Sequence, residues 1–327
     1  MKYRGIKQTA ALLLSAVLLC GCTAETNSAS AAEENSDHLK IVTTVFPEYD
    51  WVKEILGDNP GGAELVLLQK NGADLHSFQA SAADIAEIAE CDVFIYVGGE
   101  SDAWVNDVLT NNPSEKRIDI RLTEELGSSL KEEEEVEGMT REEEENGPAY
   151  DEHVWLSLKN AEALCNVITE KLAEADPEHA EIYRSDNEAY QQKLNELDQA
   201  YSTAVSASER KTVLFADRFP FRYLTDDYGL TYYAAFPGCS AESEASFETV
   251  IFLAGKIDEL SLPVILTIEG PQHTVAETVR NNTAGKDQKI LTMNSMQSAG
   301  LKESEEGITY LTIMEENLSV LKEALGN

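Results

Sequence analysis

The chain has 327 residues and a formal net charge of −35, because 60 Asp and Glu residues outnumber 25 Lys and Arg residues. A surface this acidic repels nucleic acids and anionic lipid, so neither is expected as a partner. Acidity alone usually serves solubility, although it also concentrates cations. The length that remains after a short leader suits two lobes better than one core.

The first 21 residues have the pattern of an export signal. Three basic residues precede an apolar run, residues 10–19, which is too short to cross a bilayer as a stable helix. The run ends in Leu19-Cys20-Gly21-Cys22, which resembles the lipobox of bacterial lipoproteins. This resemblance implies cleavage before Cys22 and a lipid on its thiol, which would anchor the chain at the outer face of the cell membrane. An ordinary signal peptide with two incidental cysteines is the alternative.

Residues 22–37 have no apolar periodicity and predict a flexible tether. Residues 38–175 alternate strand and helix patterns and predict a first α/β lobe. Its predicted strands are residues 39–45, 64–68, 93–97 and 116–120, and a helix is predicted over 48–56. Residues 131–147 carry two runs of glutamate, 132–135 and 142–145. Like charges repel, so this segment is predicted to be a mobile loop that either collects cations or is a solvated spacer.

Residues 176–207 predict one long helix that links two lobes. Asp176 and Pro177 have the pattern of an N-cap and a first helical residue, and neither glycine nor proline follows up to residue 206. A helix of about 30 residues would be about 45 Å long and would join the lobes as a rigid strut. Its apolar stripe is Tyr183, Tyr190, Leu194, Leu197 and Tyr201. The stripe is too short and too rich in tyrosine for a coiled-coil dimer, which favours a monomer.

Residues 208–327 repeat the strand and helix pattern and predict a second lobe. Its strands are residues 212–216, 232–236, 264–268 and 289–293, and a last helix covers about 307–324. The predicted fold class is α/β, with two similar lobes of mostly parallel sheet flanked by helices and a cleft between the lobes.

Ligands of parallel α/β sheets bind beyond the carboxyl ends of the strands, and this rule sorts the five histidines. His76, His153 and His273 each follow a predicted strand and could face the cleft. His38 and His179 fall on the tether and the linking helix, where solvated side chains are expected.

The cysteines of the two lobes are Cys91, Cys165 and Cys239, and they form no C-x-x-C pair. The apolar surroundings of Cys91 and Cys165 predict buried packing thiols. Export would also permit a disulfide, whose connectivity the sequence leaves open.

Several motifs together resemble one known family. They are Thr43-Thr44-Val45-Phe46-Pro47 with Tyr49 and Gly57, Gly72-Ala73-Asp74-Leu75-His76 with Asp84-Ile85, Gly98-Gly99-Glu100 with Trp104, Asp151-Glu152-His153-Val154-Trp155-Leu156 with Lys159-Asn160-Ala161, Tyr223 with Tyr228-Gly229-Leu230, and residues 310–318. These segments are distributed over the whole mature chain. Their combination resembles the zinc- and manganese-binding lipoproteins of ABC importers, and an acidic loop before the second ligand is typical of the zinc-handling members.

The resemblance implies that His76 and His153 are metal ligands in the first lobe, with Zn²⁺ as the cargo and Mn²⁺ as the alternative. Neutral imidazole suits zinc. The implied function is ion transport: capture of the metal outside the cell and its delivery to the permease of an ABC importer.

The second lobe departs from the family pattern. The position of the third ligand, five residues before Tyr223, holds Arg218, which cannot bind a cation, although the neighbouring Asp217 could substitute. Asn294 occupies the region of the fourth ligand and offers only a weak carbonyl oxygen. The further candidates are Glu269, His273, Glu48 and Cys239.

Three other functions remain open. A zinc hydrolase is disfavoured because H-E-x-x-H, G-x-S-x-G and a phosphate-binding loop are all missing, so no enzyme is expected. A surface adhesin would need an exposed apolar patch. Arg218 and Asn294 also leave room for a paralogue with a degraded site or another cargo, manganese or copper.

Overall fold

The computed structural model describes residues 38–139, 150–240, 244–270 and 273–326. The predicted signal peptide, Cys22 and the tether lie outside the described residues, as does the second acidic run, 142–145. No helix within the described ranges is long and apolar enough to span a membrane.

The first lobe is a four-stranded parallel sheet with helices around it. Its strands are β1 (Lys40–Thr43), β2 (Glu64–Leu67), β3 (Val93–Tyr96) and β4 (Ile118–Arg121), and its helices are α1 (Phe46–Leu56), α2 (Ala82–Glu90), α3 (Ala103–Asn111), α4 (Leu122–Leu126) and α5 (Leu158–Ala175). The strand order is β2-β1-β3-β4. In the register, Lys40 lies opposite Glu64 and Ile41 opposite Val93.

The second lobe repeats this arrangement. Its strands are β5 (Thr212–Phe219), β6 (Thr231–Pro237), β7 (Val264–Thr267) and β8 (Lys289–Thr292), in the parallel order β6-β5-β7-β8. The long helix α6 (Ala180–Ala207) precedes them, and the helices of this lobe are α7 (Arg222–Tyr228), α8 (Phe247–Leu260), α9 (Thr274–Asn282), α10 (Leu301–Glu305) and α11 (Tyr310–Leu325).

The apolar runs of the sequence explain the two sheets. β3 and β7 are buried at every residue, as strands of a parallel sheet must be when helices cover both faces. All eight predicted strands are present, and the predicted two-lobe α/β fold is confirmed. Their ends differ by a few residues. For example, β1 stops at Thr43 because α1 begins at Phe46 with Pro47 in its first turn.

The linking helix is confirmed, but its predicted start at Asp176 and Pro177 is wrong. Asp176 is the residue after α5, and α6 begins four residues later. The Asp176 carboxylate accepts hydrogen bonds from the Tyr183 hydroxyl at 2.7 Å and from His179 Nδ1 at 2.8 Å. The side chain that was predicted to cap a helix therefore holds the turn between two helices instead.

One apolar core continues through both lobes. The largest cluster of buried apolar side chains contains residues from both sheets, and it includes the predicted stripe of α6. Across this cluster the rings of Trp51 in α1 and Tyr310 in α11 make an edge-to-face contact, and their centroids are 5.3 Å apart. Within it the Tyr201 hydroxyl of α6 donates to the carbonyl of Met314 at 2.6 Å. The lobes are thus joined by shared packing along α6.

The first acidic run, residues 132–135, packs against the second lobe, so the predicted mobility does not hold for this part of the loop. Glu134 forms an ion pair with Arg222 at 2.9 Å and accepts from the Tyr232 hydroxyl at 3.1 Å. Glu133 accepts from the backbone N–H of Cys239 at 3.0 Å. Donors on the second lobe compensate the like-charge repulsion from which mobility was predicted.

The thiols of Cys91 and Cys165 are buried, as predicted, and they are free, as is that of Cys239. No disulfide joins these three residues.

Asp50 provides a test of how burial affects stability. It is 1 % exposed and accepts from the backbone N–H of Tyr310 at 2.8 Å. Burial, opposed by that hydrogen bond, raises its pKa from 3.8 to about 6. The folded state therefore binds this proton more tightly than the unfolded state, so Asp50 lowers the free energy of unfolding above pH 6 and ceases to do so as the pH falls towards 4. In metal-free protein we expect Asp50→Asn to be more stable than wild type at pH 7.5, by on the order of 3 kcal/mol, and to lose this advantage near pH 4.

Urea unfolding at four pH values between 4 and 7.5 measures this difference. Asp58→Asn, at an exposed position, is the matched control and should follow the wild type at each pH. An advantage of Asp50→Asn that did not change with pH would contradict the prediction.

Candidate metal centre

His76 and His153 lie together where the loops of the first lobe meet the second lobe. His76 lies in the short turn Leu75–Ser77, which is fixed by a hydrogen bond from its backbone N–H to Asp74 Oδ1 at 3.0 Å. His153 directly precedes the turn Val154–Leu156 and is fully buried. The two ring centroids are 5.4 Å apart. The structure thus brings the two predicted first-lobe ligands into one site.

The orientation of His153 is fixed by its neighbour Asp151. The Nδ1 atom lies 2.9 Å from Asp151 Oδ1, which accepts a hydrogen bond from it. The lone pair of the neutral ring is then on Nε2, where the side-chain amide of Gln297 donates to it at 2.7 Å. Burial lowers the pKa of His153, but the Asp151 carboxylate outweighs this effect, and the pKa is raised above its ordinary value.

His76 is held in the same way by Glu152. Its Nδ1 atom lies 3.1 Å from Glu152 Oε1 and 2.8 Å from Ser101 Oγ, whereas its Nε2 atom is buried without a hydrogen-bond partner in the described structure. Burial alone would raise the pKa of Glu152, but the hydrogen bond to His76 and the charges that His153 and His76 can carry lower it to about 2. Glu152 therefore remains an anionic acceptor for the ring.

Two consecutive carboxylates thus each orient one imidazole through Nδ1. This carboxylate–histidine arrangement is typical of metal sites, because it fixes the tautomer and leaves Nε2 as the ligand atom. From the sequence, Asp151 and Glu152 were recognised only as parts of a motif and were not assigned these roles. Space for the buried Glu152 depends on Gly99, where a Cβ atom would overlap Glu152 Oε2.

Cys239 is the third residue of the site. One ligand atom from each of His76, His153 and Cys239 lies within 4.8 Å of the others, and among the described residues no further group of three or more His, Cys, Asp or Glu side chains is arranged to hold a metal ion. Burial and the nearby carboxylates, Glu152 first among them, raise the pKa of the thiol well above its ordinary value. Without a cation beside it, Cys239 therefore keeps its proton.

The end of β5 adds no ligand atom to the cluster of His76, His153 and Cys239. Arg218, at the family's third-ligand position, forms an ion pair with Asp74 of the first lobe at 2.5 Å. Both carboxylate oxygens of Asp217 accept backbone N–H groups, from Arg218 at 2.9 Å and from Ile268 at 3.2 Å. The structure therefore does not bring Asp217 into the cluster of possible ligands.

Glu269, Asn294 and Glu48 also have structural partners. Glu269 accepts two hydrogen bonds from Ser295, at 2.7 and 2.8 Å, and one from the N–H of Gln297 at 3.1 Å. The Asn294 side chain accepts from the N–H of Met296 at 2.8 Å. Glu48 accepts from the N–H groups of Thr44 and Val45 at the start of α1. These oxygens shape loops, and none of the three residues joins the cluster.

His273 lies in a cleft of about 830 Å³ that is also lined by His76, Asp217, Arg218 and Glu269. It shares this space but does not belong to the cluster of His76, His153 and Cys239. The predicted cleft between the lobes is present, and His76 is the residue of the cluster that lines it.

Gln297 is a site residue that was not predicted from the sequence. It is 1 % exposed, its amide nitrogen contacts His153, and its Oε1 atom is buried without a partner in the described ranges. It follows β8, three residues after Asn294, in the region where the family resemblance places the fourth ligand. That placement was the only available signal, since glutamine itself is a weak indicator of a metal site.

The side chains of the cluster fit zinc. Imidazole nitrogen and cysteine sulfur are preferred zinc ligands, and a tetrahedral site with bonds of about 2.0–2.3 Å needs ligand atoms roughly 3.3–3.7 Å apart. The spacing of up to 4.8 Å requires a modest contraction to bind an ion. Two buried polar atoms without partners in the described structure, His76 Nε2 and Gln297 Oε1, agree with a site built for a cation.

The family described as "ZnuA: Zinc-uptake complex component A periplasmic" matches residues 41–324. The chain is 28% identical over 324 residues to the high-affinity zinc uptake system protein ZnuA of Bacillus subtilis, covering 99% of this chain and 98% of that protein. It is 29% identical over 310 residues to the zinc-binding lipoprotein AdcA of Streptococcus pneumoniae (strain R6), covering 95% of this chain and 60% of AdcA.

The solved structure of the Zn(II)-bound ZnuA-like domain of S. pneumoniae AdcA superposes with a TM-score of 0.70 at 28% identity, over 89% of this chain and all of that domain. By its description, the matching family consists of uptake components and not of enzymes. The resemblance inferred from the motifs is confirmed, and the chain belongs to the ZnuA family of zinc-uptake components.

Proposed function

We propose that this protein captures zinc outside the cytoplasm and delivers it to the permease of an ABC importer. The observation that carries the proposal is the pair of carboxylate-oriented imidazoles, His76 with Glu152 and His153 with Asp151, beside a third donor within 4.8 Å. Membership of the zinc-uptake family supports the same conclusion. The relatives are named for zinc uptake and zinc binding.

Zinc is favoured over manganese by the ligand atoms. Manganese prefers carboxylate, carbonyl and water oxygens, whereas imidazole and thiolate suit zinc. The nearest carboxylates, Asp151 and Glu152, are occupied by hydrogen bonds to the histidine rings. Their negative charge lowers the energy of a dication without requiring them to be ligands.

The proposal includes attachment to the membrane through a lipid on Cys22, with residues 22–37 as a tether. This placement would hold a monomeric metal-binding domain close to its permease. The naming of pneumococcal AdcA as a lipoprotein supports it. The anchor would raise the local concentration of loaded protein at the permease without a large protein interface.

Release of the ion would involve a small tilt of the lobes. Capture draws the two lobes together, because His76 and His153 belong to the first lobe and Cys239 and Gln297 to the second. A wide hinge motion would break the core that the lobes share along α6. The permease would therefore have to separate the ligand atoms by only a few ångström.

The first test replaces the two histidines. We expect purified wild-type protein to bind one zinc ion, and His76→Ala and His153→Ala each to weaken zinc binding by more than the roughly 10- to 100-fold that loss of an outer partner costs. Competition titration with a chelator measures the affinity, and mass spectrometry of the purified protein measures the metal content. His273→Ala is the matched control, because this histidine lines the same cleft outside the cluster. Wild-type protein without zinc under zinc-replete conditions would refute the proposed function.

The second test concerns Gln297. A carboxylate oxygen binds zinc better than an amide oxygen, so we expect Gln297→Glu to raise zinc affinity roughly tenfold, or about 1.4 kcal/mol. Because the new carboxylate is buried near Glu152, the metal-free variant should unfold at a lower temperature than metal-free wild type. The stabilisation on adding zinc should therefore be larger in the variant, and thermal unfolding with and without zinc measures it.

Gln199→Glu, on the exposed face of α6, is the control for an added charge and should change neither quantity. Unchanged zinc affinity of Gln297→Glu would show that the amide does not contact the ion.

A further inference from the structure

Cys239 is placed in the site by an unusually close approach of its loop to His153. The loop follows β6, and its first residue is Gly238. A Cβ atom at Gly238 would lie 2.9 Å from the carbonyl oxygen of Phe219 and 3.1 Å from Cε1 of His153. A Cβ atom here would overlap the Phe219 carbonyl and crowd the imidazole, so glycine favours this close passage, and Cys239 is the next residue.

The acidic segment also fixes the loop that carries Cys239. Glu133, in the docked part of the acidic segment, accepts from the backbone N–H of Cys239 at 3.0 Å. The Sγ atom lies 3.7 Å from Glu152 Oε1, the carboxylate that orients His76. The thiol therefore faces the two histidines as part of a fixed arrangement, and not as a packing residue like Cys165.

Other donors of the second lobe are already engaged. Arg218 is paired with Asp74, the oxygens of Asp217 accept backbone N–H groups, and Glu269 accepts three hydrogen bonds from the loop after β8. The neutral amide of Gln297 also contacts His153, but an amide is a weak zinc ligand. Of the second-lobe residues, Cys239 is the one whose ligand atom lies within 4.8 Å of both histidines in the described structure.

We infer that the thiolate of Cys239 is the third metal ligand of this protein and takes the place that Arg218 leaves without a donor. The inference rests on the proposed function, since it concerns the same site. Its independent support is that two of the buried polar atoms without partners in the described structure are His76 Nε2, on a residue of the cluster, and Gln297 Oε1, on the amide that contacts His153. On binding, the S–H bond is replaced by a bond from sulfur to the metal, the proton leaves to solvent, and no redox change occurs.

A sulfur ligand makes the site more selective among metal ions than histidine and carboxylate ligands would. Thiolate strengthens binding of zinc and contributes little to binding of manganese, so Cys239 would be the residue that determines selectivity between these ions. It would also couple capture to closure, because the sulfur has to approach the histidines from the other lobe.

Cobalt(II) titration of the full-length chain tests the inference, because thiolate bound to Co²⁺ gives a sulfur-to-metal charge-transfer band in the near ultraviolet. We expect the band in wild type, its loss in Cys239→Ser and Cys239→Ala, and its retention in the matched control Cys91→Ser. We also expect Cys239→Ser to weaken zinc binding by more than about tenfold while manganese binding stays unchanged, so that the preference for zinc falls by the same factor.

The outcomes separate this inference from the proposed function. If wild type binds one equivalent of zinc and of cobalt without the band, or if the band survives in both Cys239 variants, the thiolate is not a ligand and the function still stands. If wild type binds neither ion, the proposed function fails as well. Should circular dichroism show that Cys239→Ser does not fold, the wild-type spectrum and the Cys239→Ala variant still decide the question.

Discussion

The backbone of the loop after β8 is the structural element on which the site depends. It belongs to the second lobe, yet its carbonyl groups accept from the first: Ser295 from Trp155 Nε1 at 2.9 Å, and Gln297 from the N–H of Leu75 at 3.1 Å. The second of these bonds is a backbone contact between the lobes, and Gln69 Nε2 reinforces it by donating to the same carbonyl at 2.8 Å. Leu75 is adjacent to His76, and Trp155 lies two residues after His153. The positions of both imidazoles therefore depend on a loop of the opposite lobe, so ligand geometry and lobe contact vary together.

The energies involved explain why this arrangement can be both tight and releasable. Each hydrogen bond of this kind contributes only about 0.5–1.5 kcal/mol net, but a buried group left without its partner costs about 1–3 kcal/mol. A partial opening that breaks the bonds to Trp155 Nε1 and the Gln297 carbonyl while water is still excluded would therefore be unfavourable, whereas a movement that preserves these bonds costs little. The carboxylates beside the histidines, by contrast, favour the metal-bound state. Asp151 and Glu152 are buried anions, and a bound dication compensates their charge directly.

The features that could be predicted from the sequence are those that depend on a local pattern of residues. Buried apolar runs located the eight strands, the uninterrupted segment before the second lobe located α6, and the motifs located His76 and His153. Prediction failed where a role depends on contacts between distant segments. Nothing near Asp176 reveals that its carboxylate accepts from Tyr183, which turned a predicted N-cap into a turn. Likewise, Gln297 was missed, and Cys239 could not be distinguished from the other candidate ligands, because both lie near His153 only through the convergence of separate loops of the second lobe. Arg218 and Asn294, at the family's third and fourth ligand positions, were the sequence signals that the second lobe departs from the family pattern.

The continuous core along α6 bears on whether the two lobes can be regarded as separate domains. Each lobe has its own sheet, as each of two separate domains would. However, the tyrosine stripe of α6 is buried against helices from both lobes, and two of its three hydroxyl groups have partners, Asp176 for Tyr183 and the Met314 carbonyl for Tyr201. Separating the lobes would expose to water the part of this stripe that packs against the lobe from which the helix is removed. The two lobes are therefore a single cooperative folding unit, and neither could be exchanged between relatives as a module unless the matching face of the helix were exchanged with it.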